Sequence, residues 1–533
     1  MLDILRARTA HTWRRIAWQP QTTPVHLWAL STFFVPLLIY LLTLAPTIYN
    51  LDSAELTTAV ATNGIIRATG YPLYLLLGKL FVWLPIGDVG YRLNLFSAVC
   101  GAMTIFLADR ILQHLEIDRW ARLGALGLLA TAPYFWAMSL VAEVYTLHTA
   151  LMAAIILLLL RWDQSSNPQQ LVAAALLFGL SCGNHAATAL LLPGCIWIAA
   201  SRPPRQWLRP SILTAVIVAA CVGLAVYLLL PWRFAQNPVF NYAGQYDAAG
   251  HFVPMNLQKW QDLWWLVSGQ KFAGHMFGYR LAELGPEIRG FGSQLWLAFL
   301  AVGIGPGLWG AAVLLRRERG LGIMLLLFFL ANAIFYINYR VVDKASMYLP
   351  VYLIWALWLG IGYQAILDQV QQAGGKPQGP WAMRLIMAGA VMLALTLNSS
   401  RVDLSNDWST REQSETILAN VQPNAIIFGW WDLIPALQYL QLVEGQRGDV
   451  TLINRFLISN EDMNQLIFNE LGRRPIYFNN PSIDLLRQTH VTAVGPLYLI
   501  TPRDTGCDPA FQTSSHQQPL PCAVKGGNDA VLK

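Results

Sequence analysis

YPLYLLLGKLFVWLPIG, residues 71–87, is apolar enough to suggest a membrane span, and its reading fixes the orientation of everything after it. It contains Lys79 and closes on Pro85. If it crossed, every downstream loop would invert. The clusters Arg119 and Arg122, then Arg202, Arg205 and Arg209, then Arg316, Arg317 and Arg319 would then leave the side that a cytoplasmic N-terminus assigns to them. Short basic loops face the cytoplasm, so 71–87 is expected on the outer side, as an interfacial or re-entrant helix.

Around this segment the chain reads as a polytopic helical membrane protein. Of its 533 residues 55% are hydrophobic and 12% charged, with mean hydropathy +0.42, where soluble domains carry about a quarter charged residues. A spanning helix needs roughly 20 apolar residues. Such runs occur at about 28–45, 91–112, 121–140, 147–161, 170–183, 186–200, 211–231, 294–315, 321–339, 346–366 and 382–398, about eleven transmembrane helices. Arg6, Arg8, Arg14 and Arg15 precede the first run, which is too long for a cleaved signal peptide and reads as an uncleaved anchor. The net charge of +6 follows from basic loops facing anionic lipid and calls for no nucleic-acid partner. Cys100, Cys182, Cys195 and Cys221 fall in apolar runs as packing residues, whereas Cys507 and Cys522 bracket a tail loop that a disulfide would close. No zinc-type ligand spacing appears, so no metal ligand is assigned.

Two domains are expected, a transmembrane unit over 1–399 with outer loops 46–90 and 232–293, and a C-terminal α/β unit over 400–533. The tail alternates strand (425–429), helix (432–445), strand (449–454), helix (460–472), strand (475–478) and strand (493–500). The second loop interleaves Trp260, Trp264, Trp265, Phe272 and Phe277 with Lys259, Lys271 and His275, which suits a helix lying among lipid headgroups. GIGPGLWG (303–310) lies inside an apolar run without a GK[ST] ending and reads as close helix packing, not a phosphate loop.

The chemically suggestive residues collect on the outer side. LDSAELTTAVATNGIIRATGYPLY (51–74) sets Asp52 and Glu55 on one helical face, as a catalytic pair or as a helix start capped by Asp52 or Ser53. Glu143, with Tyr145 and His148 beyond it, opens another outer turn. Asn184 and His185 form a third, where a structural histidine competes with a ligand-binding one. Arg340, Asp343, Lys344 and Tyr348 form a fourth, either a local Asp/Lys ion pair or an anion site. Ionisable groups at membrane spans cost about 2.5–3.5 kcal/mol at a helix centre and are functional candidates. Carboxylates and cations at one membrane face would let a lipid phosphate meet an acceptor hydroxyl. A transporter or a lipid-linked-sugar flippase is the rival, although such sites sit near the midplane between repeats and no repeat is evident.

With LDSAEL, GYPLYLLLGKLF, YRLNLFSAV, AEVYTLHT, GLSCGNHAA, YRVVDKASMYLPVYL and DLIPALQYLQLVEGQRGDVTLIN, nearly the whole chain resembles the DUF2723 family, related to TMEM260-type protein O-mannosyltransferases and the wider GT-C glycosyltransferases. Where that family continues its acidic motif with His-Pro-Pro-Gly, this chain has Arg67, Ala68, Thr69 and Gly70. The resemblance implies a GT-C-like transmembrane fold and transfer of mannose or another hexose from a polyprenyl-phosphate-linked sugar to a protein or to an envelope glycan or lipid acceptor, at the extracytoplasmic face of a cell membrane. Asp52 would be the general base, with Glu55 assisting or orienting it. Arg67, Arg92, Arg340 and Lys344 would meet the leaving phosphate. Tyr71, Asn94, Glu143, Tyr145, His185 and Asp343 would bind substrate or support the site. A monophosphate donor needs no metal where such cations are present, whereas a diphosphate donor would bring a divalent ion. Trp430, Asp432 and Gln438 would belong to an acceptor-binding or structural tail.

Overall fold

The computed structural model describes residues 27–341, 343–372 and 378–503. The N-terminal arginines, linker residues 373–377 and Cys507 with Cys522 lie outside them.

All eleven apolar runs are helical, but among the described residues only six helical segments are long and apolar enough to span by themselves: Val89–His114, Val144–Ser165, Pro210–Phe234, Arg319–Ile337, Ser346–Gln372 and Gly379–Val402. The others are short or broken. Leu27–Leu42 and Pro168–Cys182 have 16 and 15 residues, the 121–140 run breaks between Ala130 and Pro133, and the 294–315 run breaks between Ala298 and Ile304. Leu385, Ile386 and Met392 are more than half exposed on the Gln378–Val402 helix, an apolar surface suited to lipid. Pro72–Val82 has 11 residues, about 16 Å at 1.5 Å per residue. It is too short to cross a hydrocarbon core of about 30 Å and packs against the Asp52–Thr62 and Val89–His114 helices.

The glycine-rich run closes the Ile304–Arg317 and Leu349–Gln372 helices onto each other. A Cβ at Gly310 would fall 1.8 Å from the Trp358 carbonyl oxygen, and one at Gly362 would fall 1.9 Å from that of Pro306. Only hydrogen at these Cα atoms permits such an approach.

The tail forms a five-stranded sheet. Its strands, after β1 (Gly244–Tyr246) and β2 (Phe252–Pro254) of the second loop, are β3 (Ile426–Gly429), β4 (Thr451–Asn454), β5 (Ile476–Phe478), β6 (Thr489–Val494) and β7 (Leu497–Pro502). The order is β4-β3-β5-β7-β6, with β3 parallel to β4 and β5, and β7 antiparallel to β5 and β6. The single strand expected at 493–500 is a hairpin, because Gly495 at φ 57° turns the chain between β6 and β7. The tail buries Ile426, Phe428, Ile453, Leu466 and Ile476 in a core of its own and shares a second core with the first loop. Its helix Ile434–Leu442 lies on Asp52–Thr62, and Ile48 and Ala54 of the first loop are buried with Ile427, Leu437 and Tyr439. That shared core fixes the tail over the first-loop carboxylates.

Candidate functional site

Asp52 and Glu55 occupy the first turn of their helix, whose N-cap is Leu51, and no side chain caps it. The capping alternative for Asp52 or Ser53 is therefore not realised. Both carboxylates bind one cation instead. Arg67 bonds Asp52 Oδ2 through Nη2 and Glu55 Oε2 through Nη1, and its backbone N–H donates to Glu55 Oε1 at 3.0 Å. The guanidinium also lies 4.5 Å from the Trp431 ring centroid. Burial drives the Glu55 carboxyl up to about 7, opposed by the charge of Arg67.

Arg67 is held in this position from two sides. Ile65 exchanges backbone hydrogen bonds with the second loop, its N–H donating to Phe240 at 3.0 Å and its carbonyl accepting from Tyr242 at 2.9 Å. Gly70 then turns at φ 80°, where a Cβ would meet Leu230 Cδ1 at 2.7 Å. The Leu73 N–H donates to the Gly183 carbonyl at 3.0 Å, which ties the first loop to the Asn184–His185 turn.

These elements enclose a cavity of about 580 Å³ whose walls include Asp52, Arg67, Tyr71, Glu143, Tyr145, His185 and Asp343. Seven of the twelve sequence candidates thus share one wall. Its remaining lining is mainly apolar and aromatic, with Phe272 and Met276 from the second loop, Phe335 and Tyr336 from a spanning helix, and Trp431 and Phe456 from the tail. Glu143 is almost fully buried, its Oε2 has no hydrogen-bond partner among the described residues, and burial with the nearby Asp52 charge raises its pKa well above the usual range. His185, whose Nδ1 accepts from the Ala187 N–H at 3.2 Å, is lowered to about 4 by burial. It stands neutral among the rings of Tyr71, Tyr145 and His148.

The other five candidates lie off this wall. Glu55 stands behind Arg67, 1% exposed. Asn94 holds backbone in place, donating to the carbonyls of Ala45 and Thr47 at 3.0 and 2.8 Å and accepting from the Ala142 N–H at 2.8 Å, next to Glu143. Arg92 caps the carbonyls of Val82, Ile86 and Gly87 at 2.7–2.9 Å. Arg340 pairs with Glu283 at 3.6 Å and Lys344 with Glu287. The local Asp343/Lys344 pair therefore does not form, and Asp343 is left on the cavity wall. The tail contributes Trp431 instead of Trp430, whose ring stacks under Arg455 at 4.4 Å. Gln438 accepts from the Tyr242 hydroxyl and so joins the tail to the second loop.

Far from the cavity, Arg202 pairs with Asp163 near the other end of the helix that Glu143 opens, and Arg317 pairs with Asp368 at 4.0 Å near the end of Leu349–Gln372. The chemistry-bearing turns and the basic loops occupy opposite ends of the bundle.

A helical membrane unit with a carboxylate-lined, apolar cavity at one end and a small α/β unit over it defines the GT-C class of membrane folds. Crystal structures of ArnT from Cupriavidus metallidurans share it. The one bound to undecaprenyl phosphate has a TM-score of 0.54 at 12% identity, covering 89% of this chain and 97% of that one, and the apo form has a TM-score of 0.51. Residues 52–208 match the family described as the protein O-mannosyl-transferase TMEM260 N-terminal domain. Protein O-mannosyl-transferase TMEM260 of Mus musculus is 28% identical over 199 residues, 36% of this chain and 28% of that protein. The Dictyostelium discoideum protein of the same name is 21% identical over 465 residues, 80% of this chain and 56% of that protein. The chain therefore spans under two thirds of either relative.

Proposed function

We propose that this protein is a membrane glycosyltransferase that moves mannose or another hexose from a polyprenyl-phosphate donor to a protein or envelope acceptor at the extracytoplasmic face. The observation that carries this reading is the 580 Å³ cavity, in which Asp52 and Arg67 meet an apolar, aromatic lining at the end of the bundle opposite the basic loops. An apolar wall suits the first isoprene units and an arginine suits the phosphate, in keeping with ArnT, whose crystal structure carries undecaprenyl phosphate.

In the reaction Asp52 takes the proton of the acceptor hydroxyl as its oxygen bonds the anomeric carbon. The bond from that carbon to the phosphate oxygen breaks, and polyprenyl phosphate leaves with the electron pair. Arg67 offsets the charge building on the leaving oxygens, while Glu55 orients Arg67 from behind. Of the four cations only Arg67 lines this cavity, while Lys344 and Arg340 pair with Glu287 and Glu283 outside its wall, so Arg67 is the principal phosphate contact.

The test supplies purified protein with radiolabelled polyprenyl-phosphate mannose or hexose and envelope acceptors. Asp52→Asn is expected to lower transfer by about 10²-fold or more, the usual contribution of a general base. Transfer unchanged by this substitution removes Asp52 from the role. Movement of the lipid-linked sugar across liposomes without transfer replaces the reading with a flippase.

A further inference from the structure

The transfer chemistry uses Asp52, Arg67 and Glu55 and leaves one carboxyl of the 580 Å³ cavity without a task. Glu143 lines that cavity beside Asp52, Tyr71 and Tyr145. It is 9% exposed, and its Oε2 has no hydrogen-bond partner among the described residues. Buried polar groups are nearly always hydrogen-bonded, so an orphaned carboxyl oxygen on a cavity wall calls for a partner.

The ordinary structural roles of a buried acid do not account for it. Glu143 is the N-cap of Val144–Ser165, where a side-chain oxygen commonly accepts a backbone N–H, yet no side-chain cap bond forms. Arg67 is the one arginine or lysine among the described lining residues, and its guanidinium is bonded to Asp52 and Glu55. The backbone, by contrast, is firmly held. The Glu143 N–H donates to Ser97 Oγ at 3.0 Å, the Ser97 hydroxyl donates to the Glu143 carbonyl at 3.3 Å, and the Ala142 N–H donates to Asn94 Oδ1 at 2.8 Å. These contacts fix the position of the carboxyl without satisfying it, as a ligand contact on a rigid element requires.

Charge and chemistry narrow the ligand. Burial and the Asp52 charge favour the protonated form of Glu143, and a protonated carboxyl donates one hydrogen bond and accepts others, as a sugar hydroxyl does. Of the donor's three parts, isoprene offers no hydrogen bond and the phosphate meets Arg67, which leaves the sugar. We propose that Glu143 is a specificity-determining residue, hydrogen-bonded to one non-anomeric hydroxyl of the transferred hexose. The inference rests on the transferase reading and adds to it how the site reads the sugar. A hexose with a hydroxyl at that carbon satisfies Glu143, one deoxygenated there leaves the carboxyl orphaned, and one bearing a carboxylate there meets Asp52 and Asp343 on the same wall.

The experiment uses the full chain with polyprenyl-phosphate mannose and its monodeoxy analogues, each lacking one hydroxyl. One analogue should be transferred with kcat/KM about 10- to 100-fold below that of mannose, because the missing hydroxyl leaves a buried group unpaired. In Glu143→Ala the mannose donor should fall to the level of that analogue, so that their ratio approaches one while the ratios for the other analogues hold. Glu143→Gln, which keeps a donor and an acceptor, should retain the ratio. A general loss of packing would lower all donors alike. Equal kcat/KM for mannose and every analogue in the unmodified protein, a result that depends on no variant folding, overturns the proposal. A ratio that survives in Glu143→Ala does the same and assigns the orphaned oxygen to a water. Faster transfer of an amino sugar with an ammonium in place of that hydroxyl replaces the hydroxyl contact with an ion pair. If the unmodified protein passes sugar neither to acceptor nor to water, the transferase reading fails instead, and equilibrium binding of the same donors judges Glu143 alone. The analogue should then bind about tenfold or more weaker than the mannose donor to the unmodified protein and equally to Glu143→Ala, whereas equal binding to the unmodified protein would sink the contact.

Discussion

Arg67 binds Asp52 with one guanidinium nitrogen and Glu55 with the other, so the residue standing where the resembling family has histidine holds both acids of the first loop. Removing it would leave a 1%-exposed carboxylate without its cation. Breaking one side of a buried pair costs about 3–5 kcal/mol. Arg67→Ala should therefore lower the thermal midpoint in detergent by several degrees as well as abolish transfer. Arg67→Lys, a point charge without the planar fork, should keep part of the stability and little of the activity. A full-stability Arg67→Ala protein would show that the clamp is not structural.

Glu143 gives a pH test with a defined sign. Its folded-state pKa is raised well above the ordinary 4.5 by burial and by the charge of Asp52. The stability it contributes is complete below about 4.5 and is lost as pH rises through the folded value. Melting curves of the unmodified protein should shift downward as pH rises above 5, and Glu143→Gln should flatten that trend because the amide does not ionise. An unchanged slope in the variant would assign the pH dependence to another group.

Much of this arrangement is legible in the sequence because membrane physics leaves few options. Hydrocarbon-length runs and basic loops order the bundle, and polar turns at one end reach the cavity through Asp52, Glu143, His185 and Asp343. Pairing is not legible. Lys344 chooses Glu287 over its neighbour Asp343, and Arg92 serves three carbonyls, because partners distant in sequence or offered by the backbone decide both. Phe456 had no signal at all, and Trp431 had only a tryptophan pair in which β3 decides which ring turns inward. The broken 294–315 helix was hidden by a continuous apolar composition.

The glycine contact between two spanning helices predicts a steric effect far from the site. A methyl at Gly310 would sit 1.8 Å from a backbone oxygen, which no side-chain rotamer relieves. Overpacking costs typically about 1–3 kcal/mol or more. Gly310→Ala should lower the melting midpoint and the yield of monodisperse protein, whereas Gly305→Ala, with no atom within 4 Å of its added Cβ, should change neither. Equal behaviour of the two would refute the close packing.

Trp431 is the tail residue that touches Arg67, and with Phe456 it brings the tail to the cavity. Its ring faces Arg67 at 4.5 Å and forms part of the wall of the 580 Å³ cavity, while the strand before it is fully buried in the sheet. Cation–π contact in a partly desolvated site contributes about 0.5–2 kcal/mol, which corresponds to about 2- to 30-fold in rate if it is felt at the transition state. Trp431→Ala should reduce kcat within that range with a small change in melting midpoint, and Trp431→Phe should restore most of it because the ring face is kept. Trp430→Ala, on the neighbouring ring stacked with Arg455, is the internal control and should leave kcat unchanged. If both alanine variants lose activity in proportion to lost stability, the tail acts as a prop for the bundle. A kcat loss confined to Trp431 makes it a positioning residue for the Arg67 clamp.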